Sequence, residues 1–186
     1  MDTFDFRTSQ PDLLSLVITG ERIRLLIINS KFERDIFREF NDEITTYMIP
    51  SPANNIEETR NFIATSRLGI EAGYNLQFVV VSQTTGEFLG NCGLHGENKV
   101  KTPELGIWLK KDAHNKGYGR EAVRTLVDWS KKNINLDYFI YPVDRRNTPS
   151  RKIPESLGGK IIEESQIKTP IGKILNFVVY KIQIQS

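Results

Sequence analysis

Two glycines one residue apart, Gly117 and Gly119, constrain this chain more than any other feature. They follow an apolar run, Glu104 to Lys110, across a polar loop. They open a segment in which Val123, Leu126, Val127, Ser130 and Ile134 recur on one helical stripe, predicted over about 117–133. The chain must pass from strand to helix through a loop whose backbone can take unusual φ values. The first turn of such a helix carries N–H donors without intrahelical partners. Those donors and the helix dipole favour an anion, typically a phosphate. Lys116 and Arg120 add positive charge at the rim. A glycine-rich turn with a solvated basic rim fits the same short pattern, so both readings stand at this point.

Two nucleotide-binding alternatives can be tested by spacing. A Walker A loop needs Gly-x-x-x-x-Gly-Lys-[Ser/Thr], which the chain lacks. A Rossmann fingerprint tolerates Ala122 in its third glycine position, but it opens a βαβ half with an acidic strand end. Here the glycines come late, after several β segments, and no such half follows.

The remaining segments predict mixed elements. Leu16–Thr19, Gly20 and Arg22–Ile28 read as a strand pair or a single entering strand. Helices are expected over Lys31–Asn41 and from Asn55, a helix cap, to about Gly73 with Phe62, Ile63 and Leu68 inward. Strands are expected at Leu76–Ser82, Glu87–Leu94, Glu104–Lys110, Tyr138–Val143, Lys160–Glu164 and Lys173–Ile184, with a short helix near Thr148–Ser156. Hairpins followed by strand–helix–strand imply a mixed sheet with helices on its faces. Residues 1–186 read as a single domain, with 1–15, polar and holding Pro11, as a loose arm. A net charge of +2 does not point to nucleic acid. No apolar run approaches a membrane span and no signal peptide is evident, so a cytoplasmic protein is expected. One cysteine and two histidines without ligand spacing argue against a metal site.

His114-Asn115-Lys116-Gly117-Tyr118-Gly119 resembles the acetyl-CoA signature of the GNAT N-acetyltransferases, Arg/Gln-x-x-Gly-x-Gly/Ala. Leu105–Lys110 upstream and Glu121-Ala122 downstream are similar to its Rim-type branch, which modifies ribosomal-protein N-termini. Asn147-Thr148-Pro149-Ser150 with Glu155-Ser156-Leu157-Gly158 resembles that branch's second motif, and Gly20–Leu25 its first strand. The resemblance covers about residues 17–184. It implies an α/β (α+β) domain with a mixed, mostly antiparallel sheet of six to seven strands and helices on both faces. The sequence departs from the pattern at His114, at Asn115, at Pro154 inside the second motif's helix, and at Ser156 and Gly159.

The resemblance implies direct transfer of an acetyl group from acetyl-CoA to a primary amine. A protein N-terminal α-amine is the first expectation and a small amine (polyamine, amino acid or aminoglycoside) the alternative. A homodimer is left open. Such a transfer needs a base for the amine and a donor for the leaving thiolate. Glu104 matches a frequent family base, and it would need a pKa raised toward neutrality. Ser150 matches the Rim-type serine near the CoA sulfur, and Asn147 a hydrogen-bond partner of the pantetheine arm; both also suit helix caps. Backbone groups of Trp108, Leu109 and Lys110 would hold that arm, and 114–120 would receive the pyrophosphate. Two rivals remain: a CoA-sensing GNAT-fold module without turnover, motivated by His114 and Pro154, and an interaction domain without a co-substrate.

Overall fold

The computed structural model describes residues 2–184. It has one sheet of eight strands, in the order β1-β2-β3-β4-β5-β6-β8-β7. The strands are β1 (Val17–Thr19), β2 (Ile23–Ile27), β3 (Asn75–Ser82), β4 (Phe88–His95), β5 (Glu104–Leu109), β6 (Tyr138–Asp144), β7 (Lys160–Lys168) and β8 (Ile174–Gln183). The helices are α1 (Glu33–Glu39), α2 (Asp42–Thr45), α3 (Ile56–Glu71), α4 (Tyr118–Asn133) and α5 (Thr148–Ser156). The expected mixed, mostly antiparallel architecture is present. The strand count exceeds six to seven because a turn at Gly20, whose N–H bonds the Ile23 carbonyl, splits the first apolar stretch into a hairpin.

Helices cover both faces. Ile107 and Leu109 face α4, where their methyl carbons lie 3.7 and 3.5 Å from the point a Cβ would occupy at Gly119. Trp108, one residue away, faces the other side and packs on Phe40 at 4.9 Å and Phe88 at 5.8 Å between ring centres. The stripe expected on α4 is buried: Val123, Leu126, Val127, Ser130 and Ile134 are sealed from solvent. The apolar members of this stripe contribute about 1.5–3 kcal/mol each on burial, so this helix is held by its packing.

Two expectations need correction. Phe62 and Leu68 of α3 point outward, at 43% and 64% exposure, while Thr59, Ile63 and Ile70 form the inner face. The 59/63/70 spacing is the one that stays on a single side of a 3.6-residue helix. The described part of the 1–15 arm is docked: the Phe4 ring is buried, its N–H bonds the Gly73 carbonyl, and Phe6 bridges to Ile134. The short helix expected near Thr148–Ser156 is present as α5 and continues through Pro154. Among the described residues no helix is long and apolar enough to cross a membrane.

Candidate active site

One parallel pair breaks the sheet's antiparallel pattern. β5 and β6 share a single registered pair, Glu104 with Ile140, supported by the Ile140 N–H to the Pro103 carbonyl. By contrast β5 matches β4 over six pairs and β6 matches β8 over seven. Beyond Glu104 the two strands part, leaving a wedge between their edges.

The ladder decides which backbone groups face that wedge. The Lys110 N–H bonds the Leu89 carbonyl on β4. Since N–H and C=O alternate edge by edge along a strand, Trp108 also turns its N–H to β4, whereas Ile107 and Leu109 turn theirs to the wedge. The Lys110 ammonium is engaged as well, by Glu87. Of Trp108, Leu109 and Lys110, only Leu109 therefore presents a backbone amide to the opening, and Ile107 joins it. Strand alternation was the sequence signal for Ile107, but only the pairing shows which edge is open.

At the wider end the chain turns through residues 114–117 into α4. The His114 imidazole bonds the Leu109 carbonyl through Nε2 at 2.9 Å, tying the loop to the strand it leaves. Asn115 at φ 59° and Gly117 at φ 81° take left-handed conformations. This curl directs backbone N–H groups inward. Among the described residues, six consecutive amides, Asn115 to Arg120, have no partner, before the Glu121 N–H bonds the Gly117 carbonyl. The side chains of Lys116 and Arg120 are without ion pairs among the described residues. A run of unpaired amides at a helix N-terminus with two free cations fits a pyrophosphate.

Arg22, in the β1–β2 turn, braces this cradle from behind. Its guanidinium donates to the Lys116 carbonyl at 3.0 Å and to Glu121 at 2.8 Å, and lies 4.8 Å from the Tyr118 ring centre. It neutralises a carboxylate that would otherwise oppose an anion in the first turn of α4. Sequence reasoning missed this role, because the partners lie more than ninety residues apart.

The narrow end carries the titratable groups. Burial raises the Glu104 carboxyl above its ordinary range, with Lys99 opposing. His95, one residue past the strand expected over Glu87–Leu94, closes β4 directly opposite Glu104 in register. Its Nε2 lies over Gly93 and Gly106, 2.7 and 3.1 Å from where their Cβ atoms would sit, so glycine makes room for the ring. Burial lowers its imidazole below the ordinary value.

Across the sheet, Asn147 caps α5 by accepting the Ser150 N–H at 3.3 Å, and its amide nitrogen has no partner among the described residues. The Ser150 hydroxyl lies 2.8 Å from that of Tyr141 on β6. Ile153, one turn on, approaches Gly119, so α5 stands beside the cradle. Of the basic run 145–152, Arg145 pairs with Glu164, Arg146 with Asp144 and Arg151 with Glu155. Those three have carboxylate partners already and are poorly placed to receive a phosphate.

Comparison with known proteins agrees with this geometry. Residues 24–160 match the model of the acetyltransferase (GNAT) domain. An uncharacterized N-acetyltransferase, p20 of Bacillus licheniformis, is 31% identical over 117 residues; the match covers 62% of this chain and 65% of that protein, just under two thirds of its length. A GNAT-family acetyltransferase structure from Bacillus anthracis superposes with a TM-score of 0.78 at 22% identity, covering 92% of this chain and all of that one. RimL, a ribosomal L7/L12 α-N-protein acetyltransferase solved with coenzyme A, gives 0.78 at 14% identity, covering 90% and 98%. These two structural likenesses are likenesses of fold. With the family match spanning most of the sequence, the chain belongs to the GNAT acetyltransferase family.

Proposed function

We propose that the protein moves an acetyl group from acetyl-CoA to a primary amine, with a protein N-terminal α-amine as acceptor. The observation that carries the reading is the run of unpaired amides from Asn115 to Arg120 at the wide end of the β5–β6 wedge. Acetyl-CoA supplies the activated thioester; the protein's part is to hold it and manage protons. The 115–120 amides with Lys116 and Arg120 receive the pyrophosphate. The Leu109 and Ile107 amides and the Asn147 carboxamide hold the pantetheine arm, extending the sheet into the gap.

Glu104 is the base. Register partners share a face, so Glu104 lies on Ile140's side of β6, and Tyr141 with Ser150 on the opposite side. The amine therefore approaches from one face, losing a proton toward Glu104, and the sulfur departs on the other beside Ser150. A carboxyl raised by burial is a better base near neutral pH than an ordinary one. The departures that favour a CoA sensor are absorbed here: His114 ties the cradle to β5, and α5 continues through Pro154. The RimL-like fold supports the N-terminal acceptor over a small amine.

The test is thiol release from acetyl-CoA with peptides bearing free N-termini beside N-blocked peptides, polyamines and aminoglycosides. Turnover with free N-termini alone is expected. Turnover only with a small amine would replace the acceptor, and binding without turnover would make the protein a sensor.

A further inference from the structure

We infer that Tyr141 is a positioning residue that fixes the direction of the Ser150 hydroxyl, making that hydroxyl a donor aimed into the wedge at the departing sulfur. The inference rests on the reading of Ser150 given above and adds a residue and a geometry to it.

The Tyr141 phenol is 2% exposed, and its one hydrogen-bond partner among the described residues is the Ser150 oxygen, at 2.8 Å. Either hydroxyl could in principle donate to the other. Were Ser150 the donor, the phenolic hydrogen would be buried with no acceptor, a loss larger than a hydrogen bond returns. Ser150 is only half-buried, and its own hydrogen can point into the wedge. Satisfying the buried phenol therefore orders the pair as Tyr141 to Ser150 to wedge. Among the described residues no helix carbonyl accepts the Ser150 hydrogen, the bond that serine near a helix start otherwise makes, and turning its oxygen away from β6 would orphan Tyr141.

The same burial sets the limit of the role. Desolvation raises the phenol well above its ordinary value, so it stays protonated. Passing a proton from Tyr141 through Ser150 would leave a buried phenolate, and the pair acts instead as an oriented dipole. In the transfer the C–N bond forms and the C–S bond breaks, its electron pair going to sulfur. The nitrogen's surplus proton goes to Glu104, and the Ser150 O–H stabilises the thiolate, which takes its proton from solvent.

The test compares native protein with Ser150→Ala, Tyr141→Phe, the double variant and Tyr180→Phe. Tyr180 is a control: it faces Tyr141 in register and bonds α5 through Arg151 and Glu155, and among the described residues it makes no hydrogen bond to Ser150. The first readout needs no turnover. The thiol of bound CoA is titrated by its ultraviolet thiolate absorbance, with calorimetric affinity measured in parallel. The thiol should ionise at lower pH when bound to native or Tyr180→Phe protein. Tyr141→Phe should remove most of that shift while CoA affinity stays within about threefold. In turnover, Tyr141→Phe should lower kcat about tenfold, the double variant no further than Ser150→Ala, and an acetyl thioester of a more acidic thiol should recover much of the loss. If Ser150→Ala changes both readouts and Tyr141→Phe neither, the positioning role is overturned and Ser150 stands. If Ser150→Ala changes neither, the reading of Ser150 fails and takes this inference with it. Equal loss in Tyr180→Phe would make the effect general docking of α5 and also overturn it.

Discussion

Glu104 and Ile140 form the single registered pair between the two strands that flank the wedge, so the raised carboxyl sits at its vertex. One position further along β5 the strands have already parted. On the proposed reading of Glu104 as the base, this places it where the pantetheine arm would end and ties its chemistry to a cost in folding. Burying a carboxyl that must ionise destabilises the protein at the pH where it works.

That cost gives the first prediction. A carboxyl raised on folding contributes stability that is fully present below the ordinary glutamate value and lost as pH rises through the raised one. Glu104→Gln, permanently neutral, should melt at or above the native temperature at pH 8, with the difference closing by pH 4. The same variant should lose roughly 10²–10⁴-fold in kcat/KM. The acidic limb of the native pH–rate profile should lie above the ordinary carboxylate range. A variant that melts lower at pH 8 would mean that Glu104 is structural.

Arg22 makes the second. Removing it leaves the Glu121 carboxylate unpaired in the first turn of α4 and frees the Lys116 carbonyl. Arg22→Ala should weaken acetyl-CoA binding roughly 3–10-fold by calorimetry, a loss that a half-exposed ion pair and its dipole can account for. Adding Glu121→Gln should restore part of it. Unchanged affinity in Arg22→Ala would show that the cradle needs no brace.

Asp144 carries the third. Burial alone would raise this fully buried carboxyl, but the Arg146 side chain and the N–H groups of Arg146 and Asn176 outweigh it and hold it at about 2. A lowered carboxyl contributes stability present above its ordinary value, 3.8, and lost as pH falls through about 2. Asp144→Asn should cost roughly 1–2 kcal/mol at neutral pH after allowing for the half-exposed Arg146, about 2–8 °C in Tm. The gap should narrow as pH drops from 4 toward 2. A gap that stays constant over that window would remove the electrostatic explanation.

Phe4 gives the fourth. Its ring is buried, and a Cβ at Gly96 would come within 2.8 Å of it. Phe4→Ala should therefore destabilise by about 3 kcal/mol, read by urea melts. A change below about 0.5 kcal/mol would mean that the arm is as loose as its composition suggests.

The cradle was legible in the sequence because its grammar is local: a strand, a polar loop, two glycines and an amphipathic helix lie within thirty residues. Glu104 was legible as the residue opening that strand. What the sequence could not show depends on partners far along the chain. Which amides face the wedge follows from β5 giving one edge to β4 and withholding the other from β6. That favours Ile107 over Trp108 and Lys110, a choice strand period alone cannot make. Arg22 and Phe4 were hidden similarly, since their partners are Glu121 and Gly73. The pairing of Tyr141 with Ser150 needs α5 docked on β6, whereas the serine alone also suited a helix cap.

The most direct test of the central claim, that the 115–120 amides hold acetyl-CoA, is titration calorimetry of the native protein against Gly117→Val. The substitution places a β-branched residue at φ 81°, where only glycine is unstrained, and sets its Cβ 3.2 Å from the Arg22 guanidinium. Gly117 is exposed, so the fold should survive and the curl of amides should not. The account predicts saturable one-to-one binding to the native protein and at least a tenfold loss in the variant, with unchanged circular dichroism. Native binding that survives the substitution intact, or no native binding at all, would contradict it.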